Sequence, residues 1–226
     1  DSIDYLPLHA HIGIAGWFLL LIIGVGSRLI PMFLISKYNN VKLLWWVYGF
    51  INGGLIVFIF IFLHKNNAQF YLAPLLLIAL GIFLFGRFCY RAYKERIRKK
   101  VDEQVKMSLL SVVMMILPII FLFFSILLLM LTASENIRLI ISYGFVLFFG
   151  WITAIILGMT FKTLPFIVWN KVYHHLAGKQ KTPNPKDLFN ASVFKWMSLS
   201  FIAGFTLFVC AVLLRISFML KPAAAL

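Results

Sequence analysis

Two histidines set two residues apart, in the run Leu8-His9-Ala10-His11, are the side chains of this sequence best suited to chemistry. On a helix, a separation of two residues turns the side chain by about 200°, so the two rings leave nearly opposite faces. They do not close comfortably on one metal ion, but each imidazole can be an axial ligand to its own haem, one on either side of the helix. A second ligand would have to come from another helix, and His64 is the one further histidine at a matching depth. His174 and His175 fall a membrane thickness away and read as interfacial loop residues. The plainer reading of His9 and His11 is polar capping at the headgroup level. Ala10, Gly13, Ala15 and Gly16 beside the pair leave room for a flat macrocycle, and small residues serve helix–helix contact equally well.

The elements that position these residues are membrane helices. Of 226 residues, 62% are hydrophobic and 12% charged, and the mean hydropathy is +0.97. A water-soluble chain carries roughly 25% charged residues, so the lipid bilayer is the expected partner. Runs of about 20 apolar residues mark spans, because backbone polar groups in lipid must be satisfied internally. They lie at Leu8–Ile35, Leu43–Leu63, Ala68–Gly86, Met107–Ala133, Leu139–Phe161 and Trp196–Leu214. The first and fifth are expected to run on past Arg28 and Lys162, whose stems can snorkel, and Pro118 to kink the fourth. The fold class is all-α, a polytopic membrane helix bundle of about six transmembrane helices, and residues 1–226 read as a single membrane domain. Cys89 and Cys210 lack metal or redox spacing and read as packing residues.

The net charge of +14 sits in the loops. Between spans three and four are Arg87, Arg91, Lys94, Arg96, Arg98, Lys99, Lys100 and Lys106; Lys171, Lys179, Lys181, Lys186 and Lys195 follow span five, and Lys37 and Lys42 follow span one. The alternate loops hold only Lys65 and the pair Glu135 and Arg138, while Asp1 and Asp4 precede span one. This alternation places the basic loops in the cytoplasm and both termini outside, and it explains the charge without nucleic acid as a partner. The setting implied is a bacterial inner membrane.

An internal repeat runs through the first and fifth spans. Gly16-Trp17 recurs as Gly150-Trp151, Gly24 as Gly158, Arg28 as Lys162 and Pro31 as Pro165, each at an offset of 134 (16+134, 24+134, 28+134, 31+134). The copies cover about 8–38 and 142–173. Four spans separate them, so the repeat is parallel with a four-helix period, unlike the inverted repeats of many transporters. Six helices hold one and a half such arcs, and the first begins within eight residues of Asp1, which together point to a chain continuing before Asp1. The paired cations Arg28 and Lys162 read either as an anion site or as snorkelling charge before a helix-ending proline.

The run from Leu8-His9-Ala10-His11 through Gly16-Trp17 to Leu29-Ile30-Pro31-Met32-Phe33 resembles the tenth helix of subunit I of the haem–copper oxidases, nearest the cbb3-type and nitric-oxide-reductase branch. It is similar also to the NnrS-type membrane haem proteins. The resemblance implies that one histidine of the pair binds a high-spin and the other a low-spin haem, b-type, in an outward-facing half of the membrane. It implies a respiratory-chain setting with other membrane subunits and a cytochrome or quinol electron donor. The copper of that family needs three more histidines, and Tyr143 and Phe145 stand where His9 and His11 map (9+134, 11+134). Copper is therefore left open, and oxidoreductase activity with it. The expected function is haem binding in electron transfer or in handling O2 or NO. The alternative is a haem-free membrane scaffold or transporter-like protein, although spans nearly empty of carboxylates weaken ion coupling.

Overall fold

The structure is a computed structural model that describes residues 2–64 and 67–225. Asp1 and Lys65, two of the charges used to orient the chain, lie outside the described residues. Six helices are long and apolar enough to cross a membrane: α1 Ile3–Leu34, α2 Val41–Leu63, α3 Ala68–Lys94, α4 Glu103–Thr132, α5 Ile137–Leu176 and α6 Ala191–Leu214. A short α7, Leu220–Ala225, follows. No strand occurs among the described residues. The chain is an all-α polytopic integral membrane protein.

Helix starts and stops follow local chemistry. Asn40 opens α2 by accepting the Leu43 amide at 2.9 Å, and Asn190 opens α6 by accepting the amides of Ser192 and Val193 at 3.0 and 3.1 Å. α1 ends at Ile35, whose φ of 51° is rare for a β-branched residue. The strain is offset by tethering, since the Ile35 carbonyl accepts the Ile97 amide at 3.1 Å and Ser36 bridges to Arg96. α4 breaks at Met115, between Glu103–Met114 and Ile116–Thr132. Pro118 is the cause: it has no N–H to give the Met114 carbonyl four residues back and its ring clashes there. α5 continues past Lys162 and past Pro165 to Leu176, so that proline does not end the helix.

Two compact units make up the chain. The first holds residues 1–101 and 115–143, the second 102–114 and 144–226. In the first, α2 and α3 form a hairpin so close that a Cβ on Gly81 would lie 2.7 Å from Ile51. α1 packs on α3 through Gly26, against Phe85, and on α2 through Gly16, against Leu55. In the second, the Glu103–Met114 half of α4 packs along α5, and α6 packs on the early part of α5.

The repeat is visible in the backbone. α1 widens into a π-helix over Ile12–Leu19, and α5 does the same over Val146–Ile152. The two begin at equivalent positions (12+134). Side-chain packing repeats as well. A Cβ on Gly16 would meet Leu55 of α2 at 3.1 Å, and one on Gly150 would meet Phe205 of α6 at 2.8 Å. His11 lies 5.2 Å from the Phe58 ring, and its counterpart Phe145 lies 3.8 Å from that of Phe208. The contacted residues are themselves matched at an offset of 150 (55+150, 58+150), so α1–α2 and α5–α6 are equivalent hairpins with connections that differ by 16 residues (150−134).

Candidate functional site

The site is assembled around the first turns of α1. His11 is half-buried between Phe58 of α2 and Tyr143 at the start of α5, with its ring nearly parallel to the phenol at a centroid separation of 6.1 Å. Its Nδ1 lies 2.7 Å from the Pro7 carbonyl and its Nε2 lies 3.2 Å from the Tyr143 hydroxyl. A carbonyl only accepts, so in the neutral ring Nδ1 carries the proton and Nε2 offers a bare lone pair. This is the arrangement by which a protein fixes the tautomer of a metal-binding histidine. The Tyr143 O–H donates to that lone pair.

His9 leaves the helix on another face. It is exposed, and it makes no hydrogen bond among the described residues. Next to the pair, the position of Gly13 is open: a Cβ there would meet nothing within 4 Å. His64 closes α2 at the same end, as the ring contact of Tyr5 with Phe62 places that end beside the start of α1. Its Nδ1 donates to the Phe60 carbonyl at 2.8 Å and its exposed ring rests on Phe60 at 4.1 Å. No described contact joins His64 to His9 or His11. His174 and His175 occupy an exposed 3₁₀ turn at the far end of α5.

A haem fits this donor set unevenly. His9 has the open imidazole and the small-residue surroundings that an axial ligand needs. At His11 an iron would take the place now held by the Tyr143 hydroxyl, so that phenol would have to turn aside. Among the described residues no three His, Cys, Asp or Glu side chains cluster as a metal site.

Tyr143 and Phe58 were not legible as site residues. The signal for Tyr143 was its place in the repeat, one copy on from His9. Phe58 carried none, being one of 24 phenylalanines. Of the two matched cations, Lys162 is engaged: its ammonium lies 2.5 Å from the Asp102 carboxylate, both side chains about four-fifths buried. Arg28 is exposed and makes no ion pair among the described residues. Cys89 is buried in α3 and Cys210 exposed on α6, both as free thiols.

No family model, curated protein or solved structure matches this chain.

Proposed function

We propose that this chain is a haem-binding integral membrane protein, akin to subunit I of the haem–copper oxidases or to NnrS-type proteins, with His9 and His11 as axial ligands. The observation that carries this reading is the pairing of His11 with Phe145. In the second copy that position holds a hydrocarbon ring stacked on the following helix at 3.8 Å. Packing alone therefore does not call for an imidazole, yet the first copy has one, with Nδ1–H anchored on Pro7 and Nε2 left as the donor.

Bound haem would supply one-electron chemistry and a site for O2 or NO. The residues of the chain would hold it: His9 from its open face, His11 once Tyr143 releases Nε2, and the surface around Gly13 by admitting the ring edge. The Pro7 carbonyl keeps the proton on Nδ1 and raises the basicity of Nε2. The loop charges favour the His9 end of α1 as the outward one, with both termini outside.

A second reading has its own observation. The Tyr143–His11 bond satisfies both rings and ties α5 to α1, which suits a haem-free scaffold. A pyridine-haemochrome assay on the detergent-purified chain, with a reduced-minus-oxidised spectrum, separates the two. A Soret band that shifts on reduction, lost in His9→Ala and in His11→Ala, supports ligation. A folded, colourless protein that also takes up no added haemin would leave the scaffold in its place.

A further inference from the structure

The two repeat copies are alike in sequence and opposite in what covers them. On α5, Trp151 and Ile155 are 3% and 9% exposed. A Cβ on Gly158 would collide with Ser108 and its backbone, and Lys162 is paired with Asp102. The cover is one helical segment, Glu103–Met114, with Asp102 just ahead of it. The same four positions on α1 are Trp17, Leu21, Gly24 and Arg28 (151−134, 155−134, 158−134, 162−134). They form one stripe, and all are exposed: Trp17 is 69% and Leu21 48% accessible, and a Cβ on Gly24 would meet nothing within 4 Å. Arg28 ends the stripe without an ion pair among the described residues.

We propose that this stripe of α1 is the docking face for a transmembrane helix of a partner subunit, and that the partner helix carries a carboxylate six residues before a serine or other small residue. That spacing is the one by which Asp102 and Ser108 meet Lys162 and Gly158 (102+6). The glycine admits the partner backbone closely, as small residues do between membrane helices, and the carboxylate answers Arg28. A second copy using the same face would set Arg28 against Arg28, and the matching face of α4 is already taken by α5, so self-association does not satisfy the stripe.

The probe is a synthetic peptide of residues 101–132, which has the required chemistry, added to the full chain in liposomes. The peptide carries Ser108→Cys and the chain Gly24→Cys, with Cys89 and Cys210 replaced by alanine; the readout is disulfide yield under mild oxidation. The expected result is efficient cross-linking that falls about tenfold or more with Arg28→Glu, the scale on which an unpaired buried charge acts. Cross-linking should return when the peptide carries Asp102→Lys. Three results would overturn the proposal. One is no cross-link to a chain whose fold is intact by circular dichroism. Another is capture only by Gly158→Cys, showing helix exchange at α5. The third is a chain-to-chain disulfide through Gly24→Cys without peptide, showing that a second copy covers the face.

Discussion

Tyr143 stands in the second repeat copy where His9 stands in the first, and it donates its hydroxyl to Nε2 of His11 across 3.2 Å. The repeat thus places a phenol, in the second copy, at the lone pair of the histidine that an iron would need. Tyr143→Phe removes the competitor while keeping the ring. If haem uses His11, this variant should bind it at least as tightly as the parent and show a changed Soret position. In the haem-free form it should lose about 0.6 kcal/mol, the mean for hydrogen bonds inside membranes, measured by unfolding in mixed micelles.

Removing the other partner is the costlier change. His11→Ala leaves the Tyr143 hydroxyl without an acceptor and opens a gap beside Phe58, so a loss of roughly 2–4 kcal/mol is expected from the stranded hydroxyl and the cavity together. His9→Ala touches an exposed ring without hydrogen bonds, and its effect on the unfolding of the haem-free chain should stay within about 0.5 kcal/mol. The two histidines are separated in this way by stability before any spectrum is taken.

Gly24 and Gly158 occupy equivalent positions, and only one is covered. Gly158→Leu should prevent Glu103–Met114 from seating on α5 and lower the melting temperature sharply, or abolish folding. Gly24→Leu in the purified chain should leave it within a few degrees of the parent. Thermal melts of the two variants side by side check this, and a large loss at Gly24 would contradict its open surroundings.

Asp102 and Lys162 share an ion pair that is mostly removed from solvent. Asp102→Asn or Lys162→Met alone leaves one charge without its partner and should cost about 2–4 kcal/mol. The double variant should recover part of that loss, because neither charge then has to be desolvated. A double-mutant cycle in mixed micelles measures the coupling, and additive losses would mean the pair contributes nothing as a pair.

The six spans could be read from hydropathy because lipid imposes a minimum apolar length. Their ends could not. α3 runs eight residues beyond Gly86 to Lys94, and α5 fifteen beyond Phe161 to Leu176, through basic residues that remain helical while leaving the apolar layer. The repeat was legible at Gly16, Gly24, Arg28 and Pro31, yet which copy is covered was not. Trp17 and Trp151 are the same residue in the same local context, and one is exposed while the other is buried. In water an exposed face would turn polar and reveal itself. In lipid, a face packed on protein and a face packed on acyl chains can have the same composition. The His11–Tyr143 contact was hidden for another reason: it joins residues 132 apart in sequence, and only the packing of α5 beside α1 brings them together.

The wide turns at Ile12–Leu19 and Val146–Ile152 also carry history. A π-turn holds one more residue than the α-turn it replaces, and it rotates everything on one side of it relative to the other. Both copies open theirs at the same offset as their matched glycines. The extra residue was therefore present in a single ancestral hairpin before that hairpin was duplicated, whereas the 16-residue difference in the connections arose afterwards. The widened turn is the older trait, and it was inherited by both halves while their loops, their histidines and their coverings diverged.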